Sequence, residues 1–260
     1  MIRLRIFTFI SAILLGSCAK SGTPPSHYKE IEVTNGGTIS GLVIFHGPTP
    51  PANSIIVTKD IEVCGATHPN ASEPGRGAGI GNVLVYLDTI TSGKPFTNTP
   101  SSARLDEFHC AFNPHLQVVR SGTLLSISNS DKVEHHFHLL LNGTSVLNDE
   151  EAVGAAPHEL TLSTTGLYTG TCNLHPWMRG FVMVTTHPYY ALTDSNGRYT
   201  LANIPPGRYT LKMWRDNWAI DQPKNANGII SGYNWGSDYR NQREVVVEAG
   251  KVDTADFVLP

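Results

Sequence analysis

An all-β protein folded as sandwiches is what this 260-residue sequence predicts, on three observations. Its apolar residues fall in short alternating or β-branched runs, Gly, Pro, Asn and Asp bound those runs, and no stretch carries the 3.6-residue periodicity of an amphipathic helix. In chain order the predicted strands are 39–45, 82–87, 116–119, 123–128, 136–141, 159–162, 167–171, 181–185, 199–201, 207–214, 243–247 and 254–258. The first two are aliphatic runs that follow glycines. Asn142 and Gly143 supply the turn that closes 136–141, and the run from Asp194 to Gly197 opens 199–201. Many short strands at this spacing argue for two-sheet packing. The Gly- and Pro-rich stretches 69–81 and 92–102 are expected to be surface loops with little to bury.

The leader is read separately from the fold. Met1 to Cys18 combine Arg3 and Arg5, an apolar stretch from Ile6 to Leu15 and small residues before a cysteine. That layout is a secretory signal, and it falls short of the about 20 apolar residues a membrane-spanning helix needs. Leu15, Gly16, Ser17 and Cys18 resemble a bacterial lipobox. The resemblance implies cleavage before Cys18, acylation of its thiol, and a lipid anchor in the cell envelope. With Ala19 after the cysteine, it also implies the outer membrane, facing the periplasm or the cell surface. Residues 19–36, Pro- and Ser-rich at their start, are then expected to be a tether. Loss of Arg3 and Arg5 takes Lys and Arg from 19 to 17 against 22 Asp and Glu, and the formal charge from −3 to −5. With no basic run elsewhere, nucleic acid is not an expected partner.

Once Cys18 is assigned to lipid, Cys64, Cys110 and Cys172 remain in an oxidising compartment. An odd number leaves one thiol for another task. The chemistry around Cys172 sets it apart, so Cys64 and Cys110 are the expected disulfide.

That chemistry lies between Gly166 and Gly180, where Cys172, His175 and Met178 follow at three-residue intervals in a strand, tight loop and strand. A thiolate, an imidazole and a thioether are soft donors, and a His₂Cys set with a long axial Met is the type 1 copper geometry. Pro176 restricts His175 to extended backbone and so directs its ring. A second imidazole is needed from another strand. His135, His136 and His138 are the candidates. Strand alternation puts His136 and His138 on one face and His135 with Phe137 on the other, and leaves all three open.

The segment from Asn129 and Asp131 to His135, paired with the downstream loop from Cys172 to Gly180, resembles the cupredoxins, above all amicyanin and the plastocyanin-like proteins. The likeness covers roughly residues 105–186. It implies a Greek-key β-sandwich at 104–186 holding one type 1 copper through His135, Cys172, His175 and Met178, with His138 the second, non-ligating member of a His-x-x-His pair. One position departs: His136 stands where the family places an asparagine that ties the two ligand segments together. His109, His115 and His158 are read as ordinary polar residues.

A second resemblance begins after the copper loop. Thr193, Asp194, Gly197 and Tyr199, then Pro205, Pro206, Gly207 and Tyr209, are similar to the carboxypeptidase regulatory-like, transthyretin-type β-sandwich. Such sandwiches open on a strand like Gly37 to Val43, far upstream. The sandwich is therefore expected to comprise 37–103 plus 187–260, split by the inserted copper domain. The simpler division is 37–186 followed by 187–260.

The function these resemblances imply is single-electron transfer, not bond-making. Leu174, Pro176 and Trp177 are expected to ring an exposed edge of His175 as a docking patch for a redox partner such as a c-type cytochrome. No Cys-x-x-x-Cys suggests a binuclear centre, and one His-x-His is too few for a multicopper oxidase. No nucleophile with its base or phosphate loop suggests an enzyme. Copper buffering or delivery, and a purely structural envelope lipoprotein, are the rival readings.

Overall fold

A computed structural model describes residues 28–47, 54–70, 79–97 and 101–259. The signal segment, Cys18 and the first part of the tether lie outside the described residues. The all-β expectation holds: the described elements are strands except for one helical turn, Ile61–Cys64. No described helix is long and apolar enough to cross a membrane.

Two sheets enclose the first core. One runs in the order His158–Leu162, Thr123–Asn129, Ser102–Phe108, Ala111–Asn113. The other runs Thr144–Glu151, His135–Leu141, Gly166–Cys172, Arg179–Thr185, Leu116–Arg120. Alternate side chains from both meet in one cluster that includes Leu105, Leu125, Ile127, Phe137, Leu139, Tyr168 and Val182, as a two-faced strand pattern requires.

A second pair of layers has its own core, including Ile39, Val43, Val85, Leu87, Tyr199, Leu201, Leu211 and Phe257. Gly37–Phe45 pairs with Arg198–Ile204, Val252–Thr254 and Phe257–Leu259. Leu84–Asp88 pairs with Tyr190–Leu192 and Gly207–Arg215. Both upstream strands thus take partners that follow Thr185 in the chain. A third, smaller cluster joins the two units. Leu116 and Phe181 point out of the five-stranded sheet and meet Leu84 and Trp214, with the Phe181 and Trp214 rings 4.9 Å apart.

The expected loops and tether are more engaged than their composition suggested. Asn70 is buried and donates to the Trp218 carbonyl, and Ile80 is fully buried with its N–H on the Val43 carbonyl. Ser92–Gly93 pairs in parallel with Lys29–Glu30, and the Tyr28 hydroxyl donates to the Lys94 carbonyl. The described end of the 19–36 segment is therefore strapped to the protein. Its polarity is satisfied by backbone pairing, which composition does not report.

Candidate metal centre

The site sits where the inner edges of three segments meet. Cys172 ends the strand Gly166–Cys172, and His135 begins its neighbour, so Phe137 and Cys172 are direct cross-strand partners. Past Cys172 the chain turns at once. The Asn173 N–H bonds the His136 carbonyl and the Met178 N–H bonds the His175 carbonyl, each at 2.9 Å. This compact turn swings the His175 ring back over the sulfur.

Three donor atoms converge. Cys172 Sγ lies 3.7 Å from His135 Nδ1 and 3.6 Å from His175 Nδ1, and the two nitrogens are 3.0 Å apart. Both rings are 0% exposed and Cys172 is 3% exposed. A triangle with those edges has a point about 2.0 Å from all three corners, the length of a first-row metal bond to nitrogen and somewhat shorter than the about 2.3 Å of one to sulfur. The outer nitrogens are committed elsewhere: His135 Nε2 to the Asp131 carboxylate at 3.0 Å and His175 Nε2 to the Asp60 carboxylate at 2.9 Å. A carboxylate only accepts, so each ring gives its Nε2–H outward and turns Nδ1 inward. One sulfur and two inner ring nitrogens, all buried and this close together, form a donor group that could hold a cation.

The charges agree. Burial alone pushes the Cys172 thiol up, but hydrogen bonds from His135, His175 and the His136 N–H outweigh it and bring it down to about 5. Burial disfavours a charged His135, yet the bonds to Asp131 and to the Cys172 sulfur raise it to about 9. The metal-free site is therefore a thiolate with an imidazolium beside it, and a metal ion would displace that proton.

Met178 is 1% exposed and belongs to the same core as Cys172 and Trp177. Asp131 does two jobs: besides orienting His135, its carboxylate accepts the N–H groups of His109 and Cys110, both in left-handed backbone conformation. Cys64 and Cys110 are joined in a disulfide, with Cα atoms 5.3 Å apart.

The remaining histidines stand apart from the three donors. His136 contributes its backbone N–H to the Cys172 sulfur at 3.4 Å, and the His138 ring pairs with the Ser145 hydroxyl on the outer face. His115 bonds Asp216 at the seam between the units, His158 lies 3.5 Å from both Asp149 and Glu151, and the His109 ring lies against Phe108.

The expected docking patch needs correction. Pro176 is exposed and Leu174 half-buried, but Trp177 is 2% exposed and donates its indole N–H to the Cys110 carbonyl. His175 presents no edge to solvent: the turn carrying Asp60 lies against its outer nitrogen, and Trp177, itself covered by the half-buried Tyr233 in a tilted ring contact, packs on its other side. Asp60 and Tyr233 come from outside the region that carries the family likeness, and no feature of the loop itself signals them.

Sequence reasoning also missed Glu107. It is fully buried, neither carboxylate oxygen has a partner among the described residues, and burial pushes its carboxyl up to about 8. The signal was present: Glu107 stands two residues from Leu105, on the same face of an alternating run.

No protein-family model matches the chain, and no curated protein matches it. Solved structures do. A purple cupredoxin from Nitrosopumilus maritimus is 23% identical, the match covering 32% of this chain and 99% of that one with a TM-score of 0.29. A reduced amicyanin variant is 22% identical over 37% of this chain and 97% of that one, TM-score 0.30. A Cu-containing nitrite reductase from Thermus scotoductus is 16% identical over 39% of this chain but 25% of that one, TM-score 0.30.

Proposed function

We propose that this chain is a type 1 copper protein that carries single electrons in a bacterial cell envelope. The observation that supports it is the convergence of one thiolate and two imidazole nitrogens, all buried, within 3.7 Å of one another. Copper bound there by His135, Cys172 and His175, with Met178 as the axial thioether, would supply a one-electron couple.

The chain's own residues do the rest. Cys172 offers its sulfur as a thiolate, and the one proton a cation must displace is that on His135. Packing of Phe137, Trp177 and Met178 around the donors excludes solvent and keeps them in place whether or not an electron has been added. Ligands held at two strand ends and one tight turn change position little, which keeps reorganisation small. A redox partner protein such as a c-type cytochrome exchanges the electron near the exposed Pro176 and half-buried Leu174. The copper-binding sandwich, 104–186, is an insertion in a regulatory-like sandwich of 37–103 and 187–260, with Ile55, Val57 and Cys64 of the upstream part packed into the copper unit's core, and Cys18 anchors the whole to the membrane through lipid. The pairing of Gly37–Phe45 and Leu84–Asp88 with late strands supports that division.

The test is the visible spectrum of the Cu(II)-loaded protein. An intense charge-transfer band that bleaches on reduction and is absent from Cys172→Ser is expected. A colourless protein that still holds Cu(I) tightly would overturn electron transfer in favour of copper delivery, and one that binds neither form would leave a structural envelope protein.

A further inference from the structure

Asp60 occupies a position its local structure does not explain. It precedes the single helical turn Ile61–Cys64 as N-cap, where an aspartate carboxylate ordinarily accepts an N–H of the first turn. It makes no such bond. Its backbone is left-handed, φ 51°, a conformation asparagine and aspartate tolerate better than other side-chain-bearing residues but still at some cost. The carboxylate points instead at His175 Nε2, 2.9 Å away and 115 residues distant in sequence. The His175 ring is 0% exposed whereas the Asp60 side chain is 33% exposed, so the carboxylate is the lid on that edge of the ring.

The turn is tied down from the opposite side. Cys64, at its end, is bridged to Cys110, whose own N–H bonds Asp131 and whose carbonyl accepts the Trp177 indole N–H. One disulfide thus joins the segment bearing Asp60 to the one that anchors Asp131, and both imidazoles of the site end on a carboxylate.

We propose that Asp60 is a positioning residue for His175. It holds the ring with Nε2–H outward and Nδ1 toward the Cys172 sulfur, closes its solvent edge, and, on the copper reading above, lowers the reduction potential of the site. The physical cause is that a carboxylate accepting the far N–H of a ligating imidazole orients the ring and raises its basicity. The added negative charge favours the more positive metal state. Asp60 touches no donor atom of the triangle, so it acts through His175 alone.

The experiment compares the full mature chain with Asp60→Ala and Asp60→Asn. In the metal-free protein, imidazole ¹H–¹⁵N spectra should show a His175 Nε2–H protected from solvent exchange. Asp60→Ala should exchange it at least tenfold faster, and Asp60→Asn, which keeps an acceptor oxygen, should restore most of the protection. In the copper-loaded protein both variants should keep the visible band but favour the reduced form by roughly tenfold at a fixed ambient potential, a rise of 59 mV for one electron. Unchanged exchange in Asp60→Ala overturns the positioning role, and an unchanged potential in both variants overturns the tuning role. Absence of a visible band in the unmodified protein instead overturns the copper reading, while the metal-free spectra still decide whether Asp60 holds His175.

Discussion

The two sandwiches bury their polar groups in different ways. The unit built on Gly37–Phe45 and Leu84–Asp88 packs an apolar core from Ile39 to Leu259, and its buried Thr193 is bonded on both sides, donating to the Ile80 carbonyl and accepting the Val83 N–H. Its buried Asp216 serves the seam, where it pairs with His115 and Arg179. The other unit gathers Glu107, Asp131, His135, Glu151 and His175 inside one end of its core. Desolvating so many ionisable groups costs stability. The difference separates a unit organised for packing from one that accepts a strained electrostatic interior to hold three donor atoms together.

The largest effect belongs to the packed unit. Leu211→Ala removes a fully buried side chain facing Val85 and Leu87 and should cost about 2–5 kcal/mol in denaturant unfolding. The visible band should stay as it was. A bleached site in that variant would mean that the two units are not separable in function.

Next comes the disulfide that ties the turn bearing Asp60 to the other unit. Replacing Cys64 and Cys110 together with alanine opens a link spanning 46 residues of sequence and should lower stability by about 2–4 kcal/mol in the same assay. No loss would mean that the turn beside the site is held by packing alone.

A pH effect should come from the packed unit. His187 is buried near the Tyr28 and Tyr189 rings, with Asp88 as the nearest carboxylate influence. Desolvation pulls it down to about 4, against an ordinary value near 6.5. The unfolded chain therefore takes up this proton first. Stability from a neutral His187 is complete above about pH 6.5 and is lost as pH falls toward 4, by up to about 3 kcal/mol. Unfolding measured at pH 7, 6, 5 and 4 should show the wild type losing that much relative to His187→Leu, and parallel curves would refute it.

The smallest effect on stability, under about 1.5 kcal/mol, is expected for Met178→Leu, a volume-conserving swap in the core. Yet, on the copper reading proposed above, the same change removes the axial thioether and should raise the reduction potential. Voltammetry with an unmoved potential would remove Met178 from the ligand set.

Much of this was legible in the chain. Alternation predicted the strand that became His135–Leu141 and the loop that follows Cys172, because side-chain period and turn residues act over a few neighbours. Alternation also separated His135 from His136 and His138, and the structure puts those two rings on the outer side. Strands such as Ser102–Phe108 and Thr144–Glu151 were passed over. Their charged and polar residues break the pattern, and cross-strand backbone bonds supply what hydrophobic periodicity does not.

The all-β class and the soft-donor spacing of Cys172, His175 and Met178 were readable along the chain, because both reside in neighbouring residues. Which upstream imidazole meets the sulfur, what covers His175, and the burial of Glu107 close to His135 and Cys172 came from the assembled sheets. Those facts depend on contacts such as Asp60 with His175, between segments more than a hundred residues apart. No local periodicity records such a distance, and only the packing of whole sheets brings its ends together.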